Sequence, residues 1–145
     1  VILRQHNDAR SQKESFFEPS CHIPFLLSWP ERLPTDTRSG ILASLIDLFG
    51  IATSAAGAPE MRDGIDVLGV VEGEAAQRSH LLGMYGEPGT RFFKIMVRDP
   101  AWKYIYIANG GREQLFNVAS DPNELHNVVG AGSASGVGLE AGVGT

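Results

Sequence analysis

Residues Leu81–Val118 read LLGMYGEPGT RFFKIMVRDP AWKYIYIANG GREQLFNV. Within them, Leu81–Tyr85, Arg91–Arg98, Trp102–Ile107 and Gln114–Val118 are short runs rich in aromatic and β-branched residues, which suit a pleated surface. Between the runs lie Glu87-Pro88-Gly89, Asp99-Pro100 and Asn109-Gly110-Gly111. There proline presets φ, while glycine and asparagine accept positive φ. Such short links favour antiparallel neighbours, because parallel pairing needs a long crossover. The stretch predicts an antiparallel meander. Just beyond it, Asp121-Pro122-Asn123-Glu124 has the order of a capping box on a short helical turn.

Upstream, the pattern is different. Pro24-Phe25-Leu26-Leu27-Ser28-Trp29-Pro30 is an apolar run fenced by two prolines, which predicts a strand buried on both faces. Leu42, Leu45, Ile46, Phe49 and Thr53 then recur at three- and four-residue spacing, the signature of an amphipathic helix. Asp47 is placed to cap the regular part, with Ile41–Ile46 partly extended before it, and Gly57 followed by Pro59 is a stop signal. Gly50 weakens that helix by about 1 kcal/mol relative to alanine. Val1–Leu3 reads as the end of a buried strand and Arg4–Glu18 as a polar loop. Gly130–Thr145 holds 6 of the 17 glycines and one charge, too little apolar surface to offset its ordering entropy, so a flexible tail is expected.

The 145 residues suit one modest domain, and 43% hydrophobic with 20% charged residues is ordinary globular composition. A formal charge of 12 − 17 = −5 argues against a nucleic-acid partner, which needs concentrated lysine and arginine. No apolar run approaches the ~20 residues of a membrane-spanning helix. Cys21 is the single cysteine, so neither an internal disulfide nor a cysteine-based zinc site is available. The opening at Val1, inside what reads as an element, predicts a piece of something longer. No compartment can be read from the chain.

Three segments carry more than periodicity. Lys13-Glu14-Ser15-Phe16-Phe17-Glu18-Pro19-Ser20-Cys21-His22-Ile23-Pro24 resembles the sulfatase pattern of a lysine, an aromatic-Glu pair, and Arg-Val/Ile-Pro entering a buried strand. Ser44-Leu45-Ile46-Asp47-Leu48-Phe49, closing at Ala56-Gly57, resembles that family's S-hydrophobic-hydrophobic-D helix. Arg98 through Trp102-Lys103-Tyr104, Glu113-Gln114-Leu115-Phe116-Asn117 and Asp121-Pro122-Asn123-Glu124-Leu125-His126-Asn127 resemble its C-terminal series R-x-x-x-W/Y-K-Y, E-x-L-Y/F-D/N and D-P-x-E-x-x-N. Found in this order over Val1–Val129, they make the chain similar to the C-terminal part of a type I, calcium-dependent sulfatase.

The resemblance implies an α/β chain: the C-terminal portion of an alkaline-phosphatase-like sulfatase fold. A buried strand and helix would be followed by a small antiparallel sheet and a short helical turn. The expected division is 1–66 as the edge of the catalytic domain, 67–129 as the small sheet subdomain and 130–145 as the tail. It further implies a parent with calcium and a formylglycine nucleophile, the ligands and nucleophile lying outside this chain. The implied partners are a sulfate-ester small molecule or a sulfated sugar, and the missing N-terminal catalytic half.

Sulfate-ester hydrolysis places negative charge on the departing oxygen, so it wants a divalent cation, basic donors and an activated nucleophile. The family's C/S-x-P-S/A-R nucleophile motif is absent here. Cys21 has Pro24 at the wrong spacing, and Ser28-Trp29-Pro30-Glu31-Arg32 carries Glu31 in the small-residue slot and reads as a decoy. No metal ligand is assigned, and the chain alone is expected to be inactive; a phosphonate or phosphate monoester hydrolase, or a non-catalytic remnant, is the alternative.

The resemblance assigns Lys13 to the sulfate-contacting lysine. His6, seven residues before it, matches a histidine that protonates or binds the leaving group; a metal-binding remnant and a plain loop histidine are its other readings. His22 stands where the family has an arginine, and an imidazole cannot reproduce that fork. Asp8 is expected to be loop solvation and Glu18 a local pair. Arg91, Lys94, Arg98, Lys103 and Arg112 are expected to form a solvated basic sheet face.

Overall fold

A computed structural model describes residues 15–60 and 62–130. Its elements, in order, are α1 (Glu18–Cys21), α2 (Asp47–Ala55), α3 (Val67–Glu72), β1 (Leu81–Tyr85), β2 (Lys94–Arg98), β3 (Trp102–Ile107) and β4 (Arg112–Asn117). The strands form one antiparallel sheet in the order β1-β2-β3-β4, the meander expected from Leu81–Val118. β1 and β3 have the bounds read from the sequence. β2 begins later because Glu87–Phe93 is spent on turns, in which Glu87 O accepts Thr90 N and Thr90 O accepts Phe93 N. At the next bend, Asp99 Oδ1 accepts Ala101 N at 2.8 Å and Trp102 N at 2.6 Å, an aspartate-built turn.

Register decides which residues meet. Gly83 pairs with Met96, Met96 with Ile105, and Lys103 with Phe116, so these share one face. On it Met96, Ile105, Phe116 and Val118 form the buried core, with Phe16, Phe17 and Ile107 packed against it. Phe17 meets Phe116 edge to face, centroids 5.8 Å apart, and the full burial of an aromatic such as Phe116 contributes roughly 1.5–3 kcal/mol. The N-terminal segment is thus the lid of the sheet's core.

Before the sheet, α2 begins at Asp47 after a turn at Leu45–Ile46; residues 41–44 have no regular structure, with Ala43 N bonded to Ile41 O at 3.0 Å, and Asp47 is the first helical residue and not the expected cap, a position Ile46 takes. Asp47 is wholly buried. Its carboxylate accepts Ser44 N at 2.6 Å and Ile65 N at 2.9 Å and is gripped by Arg78. Gly64 lets that loop close in: a Cβ there would lie 2.9 Å from Ile46 O. α3, not anticipated from the sequence, buries Val67 and Leu68 and is capped by Asp66, which accepts Gly69 N.

Two expectations are corrected. The run from Pro24 to Pro30 is neither a strand nor buried: it has no regular structure, and Leu26 is 92% exposed. A strand is stable only beside another strand, and the described residues place none next to it. Asp121–Glu124 is a turn and not a helix. Glu124 takes positive φ (54°), and its side chain, instead of reaching back to cap Asp121, turns inward to Lys103. The Val1–Leu3 strand and, beyond Gly130, the tail lie outside the described residues. Among the described residues no helix is long and apolar enough to cross a membrane.

Candidate functional site

The sheet and the N-terminal segment are joined by a buried charge cluster. Lys103 points from β3 into the core face, fully buried, where the alternation Lys103, Ile105, Ile107 sends it. Its ammonium donates to Phe16 O at 3.0 Å and lies 2.5 Å from Glu18 Oε1 and 2.8 Å from Glu124 Oε1. The other oxygen of Glu124 accepts the backbone N–H of Glu18 at 2.6 Å. Arg98 adds a second cation, Nε 3.2 Å from Glu18 Oε1, and His22 Nδ1 lies 2.9 Å from Glu18 Oε2.

The electrostatics follow from this geometry. Burial on its own would lower the Lys103 ammonium, but the carboxylates of Glu124 and Glu18 overcome it and hold the pKa above the ordinary lysine value. For Glu18, burial works toward a higher value; the hydrogen bond and charge of Lys103, with Arg98 behind it, win and hold the carboxyl below the ordinary range. Glu18 is therefore no merely local pair, and Lys103 is no part of a solvated face. Both corrections have one cause: strand register carries a lysine and a distant carboxylate to the same buried point.

Cys21 sits at the rim of this cluster. Its thiol donates to Phe16 O at 3.2 Å, and Sγ lies 3.6 Å from Lys103 Nζ. Burial pushes the thiol up more strongly than the Lys103 charge draws it down, so it is held protonated and is a poor nucleophile. The Ser28-Trp29-Pro30-Glu31-Arg32 stretch is structural: Arg32 is paired through Nη2 with Glu72 Oε2 at 2.9 Å and lies over the Trp29 ring. Beside the cluster runs an open groove of about 560 Å³, with Phe16, Glu18, Cys21, Phe25, Met84 and Arg98 along it.

Lys13 and His6, and with them Asp8, lie outside the described residues. The residues that are described do not fit calcium. Among them no group of three or more histidine, cysteine, aspartate or glutamate residues can hold a metal, and the paired carboxylates Glu18 and Glu124 already face the Lys103 ammonium. Their arrangement anchors backbone; it does not supply a nucleophile. The anchor residues that sequence reasoning misses are Lys103 and Glu124. The available signal is Lys103 standing in phase with Ile105 and Ile107 on the core face.

Comparison with known proteins agrees with this architecture. The family model for the N-sulphoglucosamine sulphohydrolase C-terminal region matches residues 10–140. Delta 4,5-hexuronate-2-O-sulfatase of Bacteroides thetaiotaomicron is 27% identical, over 88% of this chain and 30% of that protein. Choline-sulfatase of Rhizobium meliloti is 31% identical, over 80% of this chain and 23% of its own length. Arylsulfatase G of Rattus norvegicus is 32% identical over 77% and 22%. A solved structure in complex with its substrate D-glucosamine-2-N,6-O-disulfate is similar in fold, with a TM-score of 0.52 and 22% identity over 73% of this chain and 23% of that one. The chain thus spans between about a fifth and a third of the length of the curated relatives it matches. A family match over nearly the whole chain, on a sheet of the expected order, shows that this protein belongs to the sulfatases, as their C-terminal region.

Proposed function

We propose that this chain serves a parent enzyme that hydrolyses sulfate esters, and that its part is to close and position the active site. The observation that carries this reading is the anchoring of Phe16–Cys21, a segment that begins three residues after Lys13 in sequence, by a buried ion cluster on the sheet. Lys13 donates to the non-bridging sulfate oxygens, where an ammonium stabilises charge that grows in the transition state. His6 serves the leaving group. The parent's formylglycine and calcium, which supply the nucleophile and a Lewis acid when present, come from residues outside those described. The substrate class is a small sulfate ester or sulfated sugar. The named relatives are sulfatases, which disfavours the phosphate and phosphonate alternative.

The exposed apolar residues Ile23, Phe25, Leu26, Leu45 and Ile46 support a second element of the reading, that this face meets the catalytic half of the parent. The test is to express the complete reading frame that carries this chain. Sulfate release from an aryl sulfate and from a sulfated monosaccharide is then measured, with the matching phosphate esters in parallel. Release of sulfate, lost in Lys13→Ala, is expected; turnover of phosphate esters alone overturns the reading.

A further inference from the structure

We infer that Arg91 and Arg112, with Lys94 between them, form a binding surface for a sulfated saccharide chain and so favour substrates longer than one sugar. This rests on the function proposed above and deepens it. Tyr85, Lys94, Ile107 and Arg112 are successive partners across β1 to β4, so they form one row on the core face of the sheet. Two strand spacings separate Lys94 from Arg112, about 10 Å. Arg91 belongs to the same end, because Ala108 N bonds Phe93 O at 3.0 Å and sets the β1–β2 loop against the end of β3. The opposite end of that face anchors Phe16–Cys21.

Charge without an acidic partner marks this end. Arg32, Arg62, Arg78 and Arg98 each meet a carboxylate. Among the described residues, Arg91 and Arg112 meet none. Arg91 lies over the Phe92 ring, 4.8 Å from its centroid, and Arg112 Nε donates to Asn109 O at 3.3 Å. A neutral partner holds a guanidinium in place without cancelling its charge, which stays open to an anion. Glu113 follows Arg112 but alternates to the other face, opposite Tyr106. Of the two links at this end, 86–93 and 108–111, Glu87 is the one acidic residue, in a chain whose net charge is −5. The paired N–H groups of an arginine match the oxygens of a tetrahedral anion. Phe92 is 59% exposed and Tyr85 36%, so flat apolar faces stand beside the charges. A sugar ring uses such a face; a bare inorganic ion does not.

The test compares the protein made from the complete reading frame with its Arg91→Ala, Arg112→Ala double variant, both side chains being exposed. Steady-state kinetics are read on an aryl sulfate, a sulfated monosaccharide and a sulfated tetrasaccharide. The variant is expected to raise KM for the tetrasaccharide roughly 10-fold with kcat unchanged, and to leave the two small substrates within about twofold. Added salt is expected to raise the tetrasaccharide KM of the wild type more than that of the variant, because it screens exposed charges. Fluorescence anisotropy of a labelled tetrasaccharide reads binding apart from turnover, with its desulfated counterpart and a DNA oligonucleotide of equal charge as weak competitors. An unchanged tetrasaccharide KM, or an equal loss on all three substrates, overturns the inference. Competition by DNA as strong as by the sulfated chain overturns the saccharide assignment. Circular dichroism checks the fold; if the double variant does not fold, the single variants Arg91→Gln and Arg112→Gln carry the same comparison. A wild type that releases no sulfate from any substrate removes the functional reading and this inference together. One that hydrolyses the aryl sulfate but neither hydrolyses nor binds the tetrasaccharide removes this inference alone.

Discussion

The Arg78 guanidinium holds both carboxylate oxygens of Asp47, Nη2 to Oδ1 at 2.7 Å and Nη1 to Oδ2 at 3.1 Å, across 31 residues of sequence. The same carboxylate accepts two backbone amides, those of Ser44 and Ile65. One buried aspartate thus ties the start of α2 to the loop before α3 and to the approach to β1. Removing a partner from a buried pair costs more than the pair contributes, because the other charge is left without compensation. Asp47→Ala is expected to destabilise the chain by about 3–5 kcal/mol. Arg78→Leu strands the Asp47 charge and is expected to be comparably harmful. Urea unfolding followed by circular dichroism checks both; a midpoint within error of wild type would refute the anchor.

The Lys103 cluster obeys the same logic with a different control. Lys103→Met leaves Glu18 and Glu124 facing one another without their common cation. It is expected to destabilise by about 3–5 kcal/mol. The triple change Lys103→Met, Glu18→Gln, Glu124→Gln removes all three charges and is expected to recover much of that loss. The thermal midpoints of the two variants, compared directly, decide the matter.

Acid and base act on this cluster in opposite senses. Glu18 has a lowered native pKa, so its contribution is complete above the ordinary value of 4.5 and disappears as pH falls through the lower native value. Lys103 has a raised native pKa, so its contribution is complete below 10.5 and is lost as pH rises through the higher native value. From these two groups, stability is expected to be flat between the limits. Glu18→Gln is expected to soften the acid limb selectively, as read from urea midpoints across pH.

The apolar surface around residues 23–27 and 45–49 makes a further prediction. Ile23, Leu26, Leu45 and Ile46 are each at least half exposed, with Phe25, Leu27, Leu48 and Phe49 beside them in sequence and also exposed. The isolated chain is expected to bind a hydrophobic dye and to self-associate as concentration rises. Leu26→Ser with Leu45→Ser is expected to reduce dye fluorescence with little change in unfolding midpoint, since neither side chain is part of the buried core. Unaltered fluorescence in that variant would locate the dye elsewhere.

Local chemistry makes the meander legible in the chain itself. Pro88-Gly89, Asp99-Pro100 and Gly110-Gly111 can do little but turn, and the runs between them are too closely linked for parallel pairing. The place of α2 is likewise visible in its apolar period, but the role of Asp47 is not: it has the look of a helix cap, and it serves instead as a buried anchor for the distant Ile65 amide and Arg78. The family is legible in the order of three motifs, each weak alone. What local chemistry does not decide is any feature that depends on a residue far away in sequence. The run Phe25–Leu27 has the composition of a buried strand, but a strand exists only beside another, and the described residues provide none. Glu124 has the spacing of a capping residue, but the N–H it bonds belongs to Glu18, 106 residues away. Lys103 looks like one of five basic residues of the sheet region until β-sheet register sets it beside Phe116 on the core face, where its ammonium meets the Phe16 carbonyl. Turns and periodicity are settled within a few neighbouring peptides, so the sequence determined them by itself; burial of a charge is settled by which distant partners reach it, and only the tertiary structure decided that.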